Sequence, residues 1–165
     1  MGNNIILIGF MGSGKSSIGR YLSKLLKFNL IETDCLIERY FNLSISEIFR
    51  IYGEIFFRKQ ENKLLNEIKN RKNSIIATGG GMPIFFNNSS ILKSLGNIFY
   101  LEISFNTFTK RTKNDKTRPL RDKHKLFYIR KPFYEKIADF KINCDFKSIE
   151  HSALIIKEIY ENSCR

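Results

Sequence analysis

Hydrophobic and polar positions alternate along this chain in blocks that fit strands and helices in turn. Short apolar runs bounded by turn residues predict buried strands. Between them, apolar residues recur every three or four positions, as Ile18, Leu22, Leu25 and Leu26 do, which predicts helices with one buried face. The predicted strands are about Asn4–Ile8, Leu30–Glu32, Ser74–Thr78, Asn97–Ile103 and Phe140–Cys144. This alternation is typical of an α/β domain with a parallel sheet.

The helical pattern is clearest where the sequence also marks the ends of a helix. Ser44 and Glu47 have the spacing of a capping box, and Gly53 predicts the end of the helix they open. The predicted helices are about Lys15–Leu26, two stretches between 34 and 53, Glu54–Lys69, one ending near Lys113, one ending near Ala138 with a kink expected at Pro132, and Ser148–Asn162. The polar, charged stretch Asn114–Lys125 is predicted to be a mobile loop.

The first strand runs into the segment Gly9-Phe10-Met11-Gly12-Ser13-Gly14-Lys15-Ser16, and a helix follows. This is the P-loop pattern G-x-x-x-x-G-K-[ST] in its required strand-to-helix context. Glycines let several backbone N–H groups point at a phosphate, and the start of the helix adds partial positive charge. Lys15 would neutralise phosphate oxygens, and the Ser16 hydroxyl could ligate Mg²⁺. A chance glycine-rich hairpin is the alternative, but the context favours binding of a nucleoside triphosphate.

Length and composition limit the classes of protein to consider. The 165 residues predict one domain, and 42% hydrophobic residues suffice for a core. No apolar run reaches membrane-spanning length, and no signal-peptide pattern is present, so we expect a soluble cytoplasmic protein without a membrane partner. The three widely spaced cysteines (Cys35, Cys144 and Cys164) argue against a disulfide framework and a zinc site.

The formal net charge is +12, from 28 basic and 16 acidic residues. Such a charge can indicate nucleic-acid binding, a general compositional bias or binding of small anions. No single predicted element carries a basic cluster with interleaved aromatic residues. We therefore expect no nucleic-acid partner.

Two carboxylates follow the second strand in Glu32-Thr33-Asp34, where ligands of open α/β sheets bind. They could hold Mg²⁺ through water, or Asp34 could accept a proton from a substrate hydroxyl. A helix N-cap is the alternative for Asp34. Next to a P-loop the functional interpretation is favoured. His124 and His151 have no partnering pattern, which leaves Asp34 as the better candidate for a base.

Gly79-Gly80-Gly81 ends the third strand, where main chain could lie against a ligand, although a flexible turn is the alternative. That strand carries no Asp for Mg²⁺, so Glu32 becomes the nearest candidate. Arg58 lies on an otherwise apolar helix face and could pair with a planar anion, although it could also extend to solvent. Arg118, in the charged loop, could close over phosphates. Its neighbours Lys116, Arg121 and Lys123 are better interpreted as a solvated charge run.

Six segments together resemble the shikimate kinase family, in its order and over nearly the whole chain. They are Gly9–Ser16, Thr33-Asp34, the stretch from Glu47-Ile48-Phe49 through Gly53-Glu54 to Phe57-Arg58 and Glu61, Ala77-Thr78-Gly79-Gly80-Gly81, Arg118-Pro119-Leu120, and Arg130-Lys131-Pro132-Phe133-Tyr134. The resemblance implies a single three-layer αβα P-loop NTPase domain over residues 1–165 with a five-stranded parallel sheet. It implies helices over about 34–62 that bind shikimate and a lid over about 114–125. The implied reaction is ATP-dependent phosphorylation of the shikimate 3-hydroxyl, a step of chorismate and aromatic amino-acid biosynthesis.

The resemblance also implies residue roles. Nucleotide binding falls to Gly12, Ser13, Gly14, Lys15, Ser16, Ser17, Arg111 near the adenine, and Arg118 in the lid. Shikimate binding falls to Asp34, Arg58, Gly80, Gly81 and Arg130, with the two arginines on its carboxylate. Asp34, Lys15 and Arg118 are the implied catalytic residues, Mg²⁺ is the implied cofactor with Ser16 and Glu32 at the metal, and a monomer is implied.

The chain departs from the family pattern at two places. Glu32 stands where the family usually has Asp, which affects only its metal role. The stretch from Asp145 to Ile149 lacks the family's frequent Arg-x-Pro, so no adenine clamp is assigned. Two alternatives stay open: another small-molecule kinase of this fold, such as a gluconate or nucleotide kinase, and a non-catalytic nucleic-acid-binding module suggested only by the charge.

Overall fold

A central five-stranded sheet organises the protein. The structure, a computed structural model, describes residues 4–113 and 120–163. The strand order is β2-β3-β1-β4-β5, and every neighbouring pair is parallel. The strands are β1 (Asn4–Ile8), β2 (Asn29–Glu32), β3 (Ser74–Ala77), β4 (Gly96–Glu102) and β5 (Phe140–Asn143). This confirms the predicted sheet.

The central strands of this parallel sheet are apolar on both faces. Residues 5–8 of β1 have no exposed surface, and Ile6 pairs with Ile76 of β3 and Ile98 of β4. A strand buried on both sides reads as a continuous apolar run rather than an alternating one. All five strands then direct their carboxyl ends to one edge, where the loops that follow β1, β2 and β3 meet.

Helices cover the sheet and complete the predicted three-layer αβα arrangement. They are α1 (Lys15–Leu26), α2 (Thr33–Phe41), α3 (Ile45–Ile68), α4 (Asn88–Leu95), α5 (Phe105–Arg111), α6 (Leu120–Ile137) and α7 (Ile149–Ser163), with a 3₁₀ turn at Met82–Ile84. Helix α1 contacts α7, β2 and β3, whereas α4 contacts α3, β1 and β4. No helix in the described ranges is long and apolar enough to cross a membrane.

Helices α2 and α3 build a small apolar cluster of their own. Ile37, Ile48 and Phe57 are buried there, separately from the larger core that contains β1 and α1. Ser44 and Glu47 form the predicted capping box at the start of α3. Gly53, with a φ of 80°, interrupts α3 and confirms the predicted helix end at that residue.

Other predictions need correction. The loop predicted over 114–125 is wrong for its second part, because α6 already begins at Leu120; residues 114–119 lie outside the described residues. The solvated position predicted for Lys123 is also wrong, since its exposed fraction is only 3%. The sequence pattern missed α4 and the 3₁₀ turn, and α6 continues through Pro132.

Asn4 joins three segments at the amino end of the sheet and is completely buried. Its Nδ2 donates to the carbonyl oxygens of Arg71 (2.8 Å) and Leu95 (2.9 Å), and its Oδ1 accepts from the backbone N–H of Ser74 (3.0 Å). A buried side chain with every polar group paired sets the relative position of the segments it joins.

We expect Asn4→Ala to lower the free energy of unfolding by about 3 kcal/mol, because two buried backbone groups and one partly buried group lose their partner. Asn97→Ala is the matched control, since the Asn97 amide makes only an exposed bond to Ser163 and should cost less than about 0.5 kcal/mol. Urea denaturation measures both. Equal costs for the two variants would contradict the role given to Asn4.

Candidate active site

The turn after β1 has the geometry of a phosphate-binding loop. Gly12 and Gly14 have φ values of 75° and 95°, which other residues rarely adopt, and α1 begins directly after Gly14. The Lys15 ammonium lies across this turn, where its Nζ donates to the carbonyl oxygens of Gly9 (2.8 Å) and Phe10 (2.9 Å). The cation therefore sits at the mouth of the loop that would hold phosphates.

The charged form of Lys15 is disfavoured in this position. The pKa of its ammonium is lowered to about 8, mainly by burial; Asp34 opposes this shift and Arg130 contributes to it. A cation whose charged form is disfavoured gains most from an incoming anion. The site therefore favours a polyanionic ligand at Lys15.

Asp34 is held next to the loop after β3 by its neighbour Thr33. The Thr33 hydroxyl accepts from the backbone N–H of Gly79 (2.9 Å) and donates to the carbonyl oxygen of Ala77 (3.4 Å). Asp34 lies in the first turn of α2, and its Oδ1 is buried without a hydrogen-bond partner among the described residues. Burial raises the pKa of Asp34, while Lys15 opposes the shift. An unpaired carboxylate oxygen of raised pKa suits a proton acceptor.

Arg58 is a buried cation with an exposed fraction of 4%. Its Nη1 donates to Glu61 (2.8 Å), and its Nη2 and Nε donate to Glu54 (2.7 and 3.2 Å). The guanidinium also lies over the ring of Phe85, 4.4 Å from its centroid. Two carboxylates on the same helix thus fix the plane of the guanidinium, as bidentate recognition of an anion requires.

Glu61 is completely buried, and its role is one that sequence reasoning left unassigned. Its pKa is raised to about 7, mainly by burial; Arg58 opposes this shift and Asp34 contributes to it. Its Oε1, like the Oδ1 of Asp34, has no hydrogen-bond partner among the described residues. The signal in the sequence was its position three residues after Arg58, which places both on one face of α3.

Two of the three glycines after β3 leave no room for a side chain. A Cβ on Gly81 would lie 2.6 Å from Cζ of Arg58, and one on Gly79 would lie 3.0 Å from Oε1 of Glu61 and 3.1 Å from Cγ of Asp34. At Gly79 and Gly81 the main chain therefore lies directly against charged side chains; its predicted contact with a ligand stays a prediction.

Two cavities meet at this place. The first has a volume of about 370 Å³ and is lined by Met11, Asp34, Ile45, Ser46, Phe49, Phe57, Arg58, Glu61, Gly79, Gly80, Gly81 and Arg130. The second, of about 330 Å³, is lined by Met11, Gly12, Gly14, Lys15, Ser16, Ser17, Glu32, Asp34, Cys35, Ala77, Thr78 and Gly80. Met11, Asp34 and Gly80 line both, so a ligand in one cavity would meet a ligand in the other at Asp34.

Ser16 and Glu32 bring oxygen ligands to the second cavity. Glu32 is also paired with Arg20, whose Nη2 lies 3.0 and 3.1 Å from its carboxylate oxygens. Among the residues that the structure describes, no group of three or more His, Cys, Asp or Glu side chains could hold a metal ion. A hydroxyl and a carboxylate nevertheless fit Mg²⁺, which usually takes one or two protein oxygens and fills its shell with phosphates and water.

Of the other predicted nucleotide contacts, Gly12, Gly14 and Ser17 line this cavity, whereas Ser13 and Arg111 do not. Ser13 belongs to the loop, and its buried hydroxyl has no hydrogen-bond partner among the described residues. Arg111 donates to the carbonyl oxygens of Gly12 (3.1 Å) and Cys144 (3.0 Å), and so joins the loop to the end of β5. Arg118 lies outside the described residues.

Comparison with known proteins finds a family that matches nearly the whole chain. The family described as shikimate kinase matches residues 11–161. The chain belongs to the shikimate kinase family. A shikimate kinase of Clostridium botulinum (strain Loch Maree / Type A3) is 42% identical over 96% of both chains.

Solved shikimate kinases share the fold as well. The enzyme from Acinetobacter baumannii in complex with shikimate has a TM-score of 0.91 at 34% identity, covering 100% of this chain and 97% of the other. The enzyme from Aquifex aeolicus has a TM-score of 0.85 at 34% identity, covering 98% of both chains. The resemblance to this family expected from the sequence is thus confirmed.

Glu61 should make stability depend on pH in a defined window. Its pKa is higher in the folded protein than the ordinary value near 4.5, so the folded state binds more protons between about pH 4.5 and 7. The free energy of unfolding should therefore fall as the pH rises through that window. The raised pKa of Asp34 also makes the free energy of unfolding fall as the pH rises.

We expect Glu61→Gln to reduce this fall, because the titrating group is removed while an acceptor for Arg58 remains. Urea denaturation of both proteins at pH 5, 6 and 7.5 measures the slope. An unchanged slope in the variant would show that Glu61 does not titrate in this range.

Proposed function

We propose that this chain phosphorylates the 3-hydroxyl of shikimate with ATP to give shikimate 3-phosphate and ADP, in the aromatic amino-acid pathway. The observation that carries the proposal is the meeting of the two cavities at Asp34. One cavity is lined by the phosphate-binding loop and by Lys15. The other presents a carboxylate and two buried arginines, the groups that a small hydroxy acid needs.

The acceptor would bind in the cavity beside α3. Its carboxylate would pair with Arg58 and Arg130, which are 4% and 7% exposed. The backbone of Gly80 and Gly81 would lie against its ring, and a side chain at Gly81 would displace Arg58. This arrangement leaves the hydroxyl groups at the Asp34 end.

The transfer step then needs few groups. The shikimate 3-hydroxyl oxygen attacks the γ-phosphorus of ATP, the bond from that phosphorus to the β–γ bridging oxygen breaks, and ADP leaves. The hydroxyl proton passes to the unpaired Oδ1 of Asp34. Lys15 and the loop N–H groups compensate the charge on the transferring phosphoryl group.

Ser16 and Glu32 would hold Mg²⁺, which supplies positive charge to the phosphate oxygens when bound. Arg111 would lie on the nucleoside side, where it already joins the loop to β5. Arg118 is assigned to the lid by the resemblance alone. By the same resemblance we propose a cytoplasmic monomer that binds these small molecules and neither nucleic acid nor membrane.

A coupled assay tests the activity directly. The purified protein with ATP, Mg²⁺ and shikimate should release ADP and form shikimate 3-phosphate, whereas gluconate and nucleoside monophosphates should give less than about 1% of that rate. Turnover on one of those acceptors but not on shikimate would refute the proposal.

Asp34→Asn should lower kcat by about a hundredfold or more, because the amide cannot take the hydroxyl proton. The Kd of an ATP analogue, measured by calorimetry, should change less than about threefold. A kcat within a few-fold of the wild type would rule out Asp34 as the base.

Arg58→Lys keeps the charge but loses the planar fork, so we expect the KM for shikimate to rise at least tenfold. The Kd of the ATP analogue should again stay within about threefold. Arg20→Lys is a control of the same chemical change outside the acceptor cavity, and it should leave the KM for shikimate unchanged. Equal weakening of both ligands by Arg58→Lys would contradict its assignment to the acceptor.

A further inference from the structure

Tyr134 is buried directly behind the acceptor cavity. It lies on α6 one turn after Arg130, and its side chain is 1% exposed. Its ring packs against that of Tyr100, with 5.3 Å between the centroids. Tyr134 is not among the residues that line either cavity, so it would not touch a bound acceptor.

The Tyr134 hydroxyl is hydrogen-bonded in two directions. It donates to the carbonyl oxygen of Gly80 and accepts from the guanidinium of Arg130. Burial raises the pKa of Tyr134 to about 12, so the phenol stays protonated and can donate at any pH near neutrality. The Tyr134 hydroxyl thus links Gly80, whose backbone lines the cavity, to Arg130, a cation that also lines it.

This link matters because the two partners come from distant parts of the chain. Gly80 follows β3, whereas Arg130 lies on α6, and their relative position decides where an anion can bind. A Cβ on Gly80 would lie 3.5 Å from Nη1 of Arg130 and 3.7 Å from the Tyr134 hydroxyl. The Arg130 guanidinium and the Tyr134 hydroxyl therefore both lie close to Gly80, and the hydroxyl is bonded to its carbonyl oxygen.

We propose that Tyr134 is a positioning residue for acceptor binding: it holds Arg130 and Gly80 in the arrangement that receives the acceptor's carboxylate. The inference rests on the proposed function, because it assumes that the cavity takes a carboxylate-bearing acceptor. It adds a residue that acts only through others, and it predicts an effect confined to the acceptor and absent from the nucleotide.

The decisive variant is Tyr134→Phe, which keeps the ring and removes only the hydroxyl. We expect the Kd and the KM for shikimate to rise about tenfold, while the KM for ATP stays within twofold. That tenfold change corresponds to about 1.4 kcal/mol of lost binding free energy. Tyr100→Phe removes the hydroxyl of the ring next to it and should leave both KM values unchanged.

A second measurement separates positioning from general loosening. The wild type should prefer shikimate to its uncharged carboxamide, and Tyr134→Phe should reduce that preference by about the factor lost for shikimate. The double variant Tyr134→Phe/Arg130→Lys should bind shikimate no more than twofold more weakly than Arg130→Lys alone, since both changes affect one link.

The outcomes distinguish the two proposals. If the wild type does not bind shikimate in calorimetry, the proposed function fails. If the wild type binds and Tyr134→Phe binds equally well, weakens both ligands alike, or adds fully to Arg130→Lys, the role of Tyr134 is overturned. An acceptor-specific loss that does not add to Arg130→Lys supports it.

Discussion

The arrangement of the site depends on close contact between charged side chains and a backbone that carries no side chains. The glycine run after β3 lies directly against Asp34, Arg58 and Glu61, at distances where one methyl group would collide with them. Such contact allows opposite charges from α2 and α3 to meet at the end of a central strand. The Thr33 hydroxyl, bonded to Gly79 and Ala77, keeps the start of α2 in register with that strand.

Acidic and basic side chains lie side by side in this region, and several of them are buried. Burial lowers the pKa of Lys15 and raises the pKa values of Asp34 and Glu61, so each of these groups has its charged form disfavoured by its surroundings. Opposite charges nearby offset part of that cost. Groups fixed in this way need little reorganisation when a charged ligand arrives, which is the usual basis of electrostatic stabilisation in enzymes.

The sequence predicts the strands and turns of this protein better than it predicts which side chains are buried or in contact. Strands, the phosphate-binding loop and the glycine run follow from local patterns, because buried parallel strands and ligand-facing turns need particular residues at short spacing. The local patterns do not predict the burial of Glu61 and Tyr134, because it depends on packing against other elements. Lys123 was misjudged for the same reason: its neighbours in sequence are charged, yet the fold buries it.

The beginning of α6 shows a second limit of prediction from sequence. A polar, charged segment predicts a loop, but the helix already begins at Leu120 within that segment. Lys and Arg are good helix formers, so a charged segment does not by itself indicate a loop. The arginines and glycines that the sequence assigns to the acceptor, in contrast, line one cavity together: Arg58, Gly80, Gly81 and Arg130. Their contact with an acceptor stays a prediction.

The small apolar cluster of α2 and α3 has an evolutionary consequence. Ile37, Ile48 and Phe57 are buried apart from the core that supports the sheet and the phosphate-binding loop. Substitutions that reshape the acceptor end can therefore accumulate without loosening the machinery that handles the nucleotide. A modular division of this kind lets one phosphoryl-transfer scaffold diversify toward new alcohols while its donor chemistry stays the same.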